Sequence, residues 1–395
     1  MYINSKPTRW LDSLRYPEVE SSKDIFPLTA ERCYFFYSAR YALAAGLNCL
    51  KPASYQNILL PSYNCWVEID PLLSKGTEIL YYPVDMDMSV NIDKIRAVIN
   101  SNTRAILITH YLGFPQSINE LQQICEDYGI LLIEDCAHAF LSEYQGAPVG
   151  SFGDIAIFSF RKTFPIPDGG ALVINNPELE YVARPRSPST FSCFFLLAEY
   201  LRYQTRPASR SLKQYGFYFL ALLLYEFFFA ARGVLRLYHK LVHDKGLYLT
   251  YPSGNLYRKE IENWGMSSIS KRIMLSTDFD SIRRTRRSNY VFLLNRLQRY
   301  KKLFLPLNQL PEGVCPLHFP VVFYHREQAY STLKRKGIRC HNWWGDFHPH
   351  VPWHRFSDAQ YLKKNVLGLP IHQDLTFDHL LHLLAEFDRI YANLN

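Results

Sequence analysis

Between about residues 30 and 175, short apolar runs alternate with amphipathic stretches, and this alternation limits the fold more than any other feature of the chain. The runs 57–60, 79–82, 105–109, 130–134 and 154–159 are short, rich in Ile, Leu or aromatics, and bounded by turn residues, as expected of strands buried on both faces. The stretches 39–49, 67–73, 92–99 and 118–128 carry helical periodicity. Helices alternating with doubly buried strands predict an α/β fold, a mostly parallel sheet wrapped by helices. In such sheets the ligand lies beyond the carboxyl ends of the strands, so the residues that follow each strand are the first candidates for chemistry.

The rest of the chain reads differently. From about 186 to 250, a Pro- and Ser-rich loop leads into two apolar pieces, 194–201 and 215–231, set among Arg and Lys. Beyond about 260, 269–297 reads as one or two helices, with Arg283, Arg284, Arg286 and Arg287 on a solvated face. The segment 316–324 reads as a strand and 377–391 as a helix. The expected organisation is a large α/β domain over 1–260, with an apolar insertion at about 186–250, and a smaller α+β domain over 261–395. The chain of 395 residues is 48% hydrophobic, which is enough to bury a full core. Its eight cysteines form no C-x-x-C pair and scatter through apolar segments, which suits reduced core thiols of a cytoplasmic protein. The opening MYINSKPTRWLDSLRY has no apolar core, so no signal peptide is expected. The net charge of +8 permits an acidic partner without selecting one.

Asp135-Cys136-Ala137-His138 follows the run 130–134, and Phe160-Arg161-Lys162 follows 154–159. An Asp and a Lys therefore emerge on the same rim of the sheet. Asp168-Gly169-Gly170 allows a tight turn into another short apolar run at 171–174. Ser38-Ala39-Arg40 opens the first helix, where free backbone N–H groups can cup a phosphate. A phosphate cup, a carboxylate and an amine on one rim meet the needs of pyridoxal phosphate: the amine forms a Schiff base and the carboxylate keeps the ring nitrogen protonated. Taken singly, a strand-end Asp is more often a helix cap and a nearby Lys a surface charge.

Five segments in order give the set its weight: Ser38-Ala39-Arg40; Pro61-Ser62-Tyr63-Asn64-Cys65-Trp66; His110-Tyr111-Leu112-Gly113-Phe114-Pro115; Glu134-Asp135-Cys136-Ala137-His138; and Ser159-Phe160-Arg161-Lys162 with Asp168-Gly169-Gly170. In this order they resemble the DegT/DnrJ-type aminotransferases, pyridoxal-phosphate enzymes of fold type I that mostly aminate nucleotide-linked keto sugars. Leu367-Gly368-Leu369-Pro370 resembles that family's late Leu-Pro turn. The resemblance implies that Lys162 is the Schiff-base lysine and Asp135 the partner of the ring nitrogen. Ser159 and the backbone of Ala39 and Arg40 would hold the phosphate. His138 would stand near the ring oxygen, where the family usually has Gln. It further implies a homodimer, an amino-acid donor (usually glutamate) and a keto sugar on a nucleotide as acceptor, with no nucleic-acid polymer as partner. Lys162 argues against the relatives that carry His there and dehydrate sugars instead.

The chain also departs from the family pattern. Lys162 lies two residues closer to Ser159-Phe160 than usual, and the assignment rests on its distance to Asp168-Gly169-Gly170. The aromatic that stacks on the cofactor falls at Cys65 by direct count, leaving Tyr63 and Trp66 as replacements. No Gly-x-Asn-x-Arg segment precedes Met266-Ser267. His348 and His350 are too few to hold a metal, and no metal site is expected. The neighbouring His341-Asn342-Trp343-Trp344 could wall a substrate site or simply pack.

Two further readings stand beside the aminotransferase. One is a degenerate, non-catalytic relative with a regulatory or membrane-surface role, against which the intact Lys162–Asp135 pair argues. The other is a different pyridoxal-phosphate reaction, such as elimination. The segment 215–231 carries a single charge, Glu226, and is bracketed by Arg202, Arg206, Arg210 and Lys213 before it and Arg232, Arg236 and Lys240 after it. It is short for a spanning helix, which wants about 20 residues. Packing on the body of the enzyme and peripheral contact with an anionic membrane through 194–241 are both consistent with this pattern.

Overall fold

A computed structural model describes residues 1–7, 19, 24–50, 56–182, 184–204, 216, 218–231, 257–300 and 303–394. Its centre is a sheet of seven strands: β1 (Cys33–Phe36), β2 (Asn57–Pro61), β3 (Glu78–Tyr82), β4 (Thr103–Thr109), β5 (Leu131–Asp135), β8 (Ile155–Phe158) and β9 (Gly170–Ile174). A small hairpin, β6 (Glu143–Tyr144) and β7 (Ala147–Pro148), lies between β5 and β8 in the chain. The spatial order is β1-β9-β8-β5-β4-β2-β3. The pairs β2/β3, β2/β4, β4/β5 and β5/β8 are parallel, while β9 runs antiparallel to both β8 and β1. This is the mostly parallel, helix-wrapped sheet that the alternating runs require. β1 escapes sequence reading because CYFF is short and shows no alternation before the following helix.

The strands are apolar throughout because both faces are covered. α1 (Ala39–Leu50) packs on β8 and β9, and α2 (Trp66–Ser74), α3 (Ile92–Arg96) and α4 (Ile118–Tyr128) connect the parallel strands. α3 stops short of the expected 92–99, since the N–H of Val98 turns back to the carbonyl of Ile95. Each fully buried Leu or Ile in these strands contributes roughly 2 kcal/mol over an exposed one.

Further along come α5 (Thr190–Gln204) and a helical stretch over 218–231, then α6 (Ser268–Leu275) and α7 (Phe279–Leu297). A second sheet, of three strands, has the order β10-β12-β11: β10 (His318–Val322), β11 (His341–Asn342) and β12 (Val366–Pro370). It is flanked by α8 (Arg326–Arg335), α9 (Ser357–Asn365) and α10 (Phe377–Leu394). Leu367–Pro370 is therefore the central strand of this sheet rather than a turn. The absent side chain of Gly368 leaves room for the indole of Trp343, whose Nε1 would lie 2.5 Å from an added Cβ.

The basic run of α7 also departs from expectation. Arg286 is buried, donating to the carbonyls of Pro316, Leu317 and Thr163 and to Gln373 Oε1. Arg287 donates to the carbonyls of Pro311 and Val314, and Arg283 pairs with Glu143 at 2.6 Å. Carbonyls left open where the chain turns into β10 draw these guanidinium groups inward. The first residues lie with the C-terminal part of the molecule. The N–H of Ile3 donates to the Gly337 carbonyl, Arg339 N–H to the Ile3 carbonyl, and His372 and His318 donate from Nε2 to the carbonyls of Asn4 and Ser5. Among the described residues, no helix is long and apolar enough to cross a membrane.

Candidate active site

Parallel register brings the carboxyl ends of β5 and β8 together, with Asp135 paired to Ile157, two residues before Ser159. There the chain breaks from strand into a single tight turn, Phe160–Lys162. A cavity of about 680 Å³ opens beyond this rim. Ala39, Arg40, Asp135, Ser159 and Lys162 all line it, so five of the six predicted site residues share one space. The sixth, His138, is buried beside it, its ring 4.4 Å from that of Trp343 and 5.1 Å from that of Trp344.

The start of α1 faces this cavity because Gly170 lets it. A Cβ at Gly170 would stand 2.3 Å from the Ala39 nitrogen, a contact only glycine avoids. The first N–H groups of a helix have no partner within it, so the turn at Ala39 and Arg40 presents donors to an anion. The guanidinium of Arg40 is buried enough to lower its pKa, and its Nε has no partner. Asp168 sits away from the cavity. It accepts from the Ser267 N–H and hydroxyl at 2.7 Å each, and from the Ser270 hydroxyl, fixing the start of α6 to the sheet.

Asp135 is buried and accepts the Ala137 N–H at 2.8 Å. Burial raises its pKa, opposed by Lys162, by that N–H, by Glu68 and by His110. Lys162 places its Nζ 5.6 Å from the ring centre of Trp343. His138 accepts the Leu112 N–H at Nδ1, 3.2 Å, which leaves the proton on Nε2, a buried atom with no partner. Burial, reinforced by Lys162, holds this ring well below the ordinary histidine pKa, so it is neutral.

Neither Tyr63 nor Trp66 reaches the cavity. Tyr63 packs under Trp344 and donates to the Trp343 carbonyl, and Trp66 lies against His348. Cys65 lines the cavity instead, as direct counting had it. His341, Asn342, Trp343 and Trp344 form the opposite wall, whereas His348 pairs with Asp70 and His350 with Tyr81. His110, Glu134 and Cys136 converge, but Glu134 already accepts three backbone N–H groups and the His110 Nε2.

Sequence reasoning missed Lys6, Glu68, Arg161, Lys334 and Arg339, which line the same cavity. Lys6 arrives from the N-terminal strap, and burial with Arg161 and Lys162 nearby pushes its amine down to about 7. Single charges on helices and loops carry no periodic signal that could have marked them.

The unpartnered Nε2 of His138, the orphaned Arg40 Nε, the open helix start and the Lys162–Asp135 pair form a donor set that fits pyridoxal phosphate. Residues 28–194 match the sequence model of the DegT/DnrJ/EryC1/StrS aminotransferase family. A dTDP-4-dehydro-2,3,6-trideoxy-D-glucose 4-aminotransferase of Saccharopolyspora spinosa is 31% identical over 157 residues, 39% of this chain and 41% of that protein. A GDP-perosamine synthase of Vibrio cholerae is 28% identical over 138 residues, 34% of this chain and 38% of that one. The chain thus aligns with about two fifths of the length of these curated relatives. Among solved structures, Helicobacter pylori PseC, an aminotransferase involved in the biosynthesis of pseudoaminic acid, superposes with a TM-score of 0.67 at 16% identity, covering 99% of each chain. The putative sugar aminotransferase Spr1654 of Streptococcus pneumoniae, in its PLP form, gives 0.66 at 14% identity, over 100% of this chain and 99% of that one. These likenesses show the fold, and over residues 28–194 the chain is similar in sequence to the DegT/DnrJ/EryC1/StrS aminotransferase family.

Proposed function

We propose that the protein is a pyridoxal-phosphate-dependent aminotransferase that moves an amino group from an amino acid, glutamate by family resemblance, to a keto sugar carried on a nucleotide. The observation that supports it best is the meeting of Lys162, Asp135 and the helix start at Ala39–Arg40 in one cavity at the sheet's carboxyl edge. Pyridoxal phosphate, when bound, supplies an electron sink for the carbon that gains or loses the amino group. The chain's own residues do the rest. Asp135 holds a proton on the ring nitrogen through a charge-assisted bond. The N–H groups of Ala39 and Arg40, with Ser159, hold the phosphate, and the His138 Nε2–H is the donor for the ring oxygen. Lys162 would anchor the cofactor and, once released, would take a proton from and return it to the bound substrate's carbon at its Nζ. Arg161, Lys334 and Arg339 give the cavity a cationic lining suited to a diphosphate-bearing substrate, to which Lys6 adds charge when protonated.

Borohydride reduction of the loaded protein followed by peptide mapping is expected to mark Lys162. A label on any other lysine, Lys6 included, overturns the assignment.

Two features of assembly belong to this reading. The family resemblance supports a homodimer. The insertion supports a peripheral contact with an anionic membrane. Along 218–231, Phe219, Leu220, Leu223, Leu224 and Phe227 turn outward on one stripe, with Phe219 60% and Phe227 66% exposed. Tyr225 and Phe228 turn the other way, onto Phe195 and Phe191 of α5. The chain between 200 and 243 carries seven Arg and Lys against Glu226 alone, the balance that suits an apolar stripe on anionic lipid. On this reading the enzyme works in the cytoplasm, at the inner face of a membrane.

A further inference from the structure

Glu68 has no part in the chemistry above, yet it lines the same cavity as Asp135 and Lys162 and is only 6% exposed. It stands in the first turn of α2, its N–H bonded to the Cys65 carbonyl at 3.1 Å. Both carboxyls are buried at the same cavity, and each acts on the ionisation of the other. Its Oε2 is buried with no donor to accept from, the surroundings of a carboxyl that carries its own proton.

We propose that Glu68 is a positioning residue: it forms a carboxylic acid–carboxylate pair with Asp135, donating the hydrogen bond that keeps Asp135 charged and oriented towards the cofactor's ring nitrogen. The inference rests on the reading of the cavity as a pyridoxal-phosphate site. Two carboxylates in one dry pocket cannot both be ionised, so one proton stays between them. The surroundings decide which acid keeps it. Burial first, and Asp135 second, hold the Glu68 carboxyl well above the ordinary carboxylic range. Lys162 and Lys363 favour its charged form but do not win. Cys65, Tyr82 and Tyr111 also face it, and none brings a positive charge. Asp135 has the Ala137 N–H in addition to Lys162 and His110, and is the better acceptor of the two. A carboxylate has about four lone-pair sites, so Asp135 can accept from Ala137, from Glu68 and from a ring nitrogen at once. Without the Glu68 donor, burial works on Asp135 with less opposition, and the acid that should hold a cation becomes neutral.

Three measurements on wild type, Glu68→Gln and Glu68→Leu test this. Infrared difference spectra without added cofactor should show a protonated-carboxyl band at neutral pH that Glu68→Gln lacks. The melting temperature of Glu68→Gln should gain on wild type as pH rises from about 5 to 8. The raised pKa gives stability at low pH that wild type loses as the proton becomes costlier to keep, while Gln does not titrate. Equilibrium titration with pyridoxal phosphate should give Glu68→Gln within about threefold of wild type, and Glu68→Leu weaker by about tenfold or more, the scale of one charge-assisted hydrogen bond. Absence of the band together with a melting difference that is flat in pH overturns the pair. A Leu variant that binds the cofactor as tightly as wild type overturns the positioning role. If wild type itself takes up no pyridoxal phosphate, the cofactor reading fails and takes that role with it, while the band and the pH slope still report on the pair.

Discussion

Asp135 is the residue on which the electronic part of the proposed chemistry turns. Burial works against its charge and raises its pKa, while Lys162 and the Ala137 N–H favour the charged form. Asp135→Asn nearly keeps the shape and removes the charge. Turnover is expected to fall about 100-fold or more, the cost of one preorganised electrostatic partner, while the cofactor still binds. Steady-state kinetics beside an absorbance titration check this, and near-normal turnover would refute the role. At this scale much of the site was legible in advance. Asp135, Ser159 and Lys162 follow strands whose apolar runs are plain, and Ala39 opens a clear helix, so their meeting on one rim follows from topology. Glu68 and Lys6 were not legible, because their positions depend on how α2 and the N-terminal strap pack, which no local pattern encodes. Cys65 shows the converse: counting along the chain leads to a residue that lines the cavity, whereas Tyr63 and Trp66, which a preference for an aromatic favours, do not line it.

Between single residues and the whole lies the second sheet with the strap laid across it. Its strands were half hidden from sequence reasoning. β11 has only two residues, and β12 contains a glycine and ends in a proline, which together read as a turn. Four neutral histidines are built into this part of the molecule and the neighbouring cavity. Burial holds His138 and His318 well below the usual histidine pKa, His341 at about 3 and His372 at about 4. The unfolded chain takes up these protons first, near pH 6.5, and the folded chain resists them. Stability is therefore complete above about pH 6.5 and lost as the pH falls below it, by up to roughly 1.4 kcal/mol per pH unit for each such histidine. Melting curves from pH 7.5 to 5 should show this slope, and His318→Gln, which keeps a donor near the Ser5 carbonyl, should flatten it. An unchanged slope in that variant would remove His318 from the account.

For the molecule as a whole, the open question is what covers the apolar stripe of 218–231. An apolar run set among basic residues marks this segment in the sequence, and the structure adds which way its rings face. Phe228 faces α5, stacked on Phe194, so the informative change is Phe219/Leu223/Phe227→Ser. Flotation with anionic liposomes at low salt should carry the wild type upward, and the triple variant should stay behind. A wild type that does not float, or a variant that floats equally well, ends the membrane proposal. If in addition light scattering shows a wild-type dimer and a monomeric variant, the stripe belongs to a second copy.

The strap formed by the first seven residues has a further consequence in time. Its partners, His318, Gly337, Arg339 and His372, are made more than three hundred residues after it. During synthesis the seven-stranded sheet can assemble as it emerges, while Ile3 through Ser5 wait for these partners until residues 318–372 leave the ribosome. One wall of the cavity is thus completed only after the second sheet has been made, and a nascent chain that has already built its main sheet still lacks a finished place for substrate.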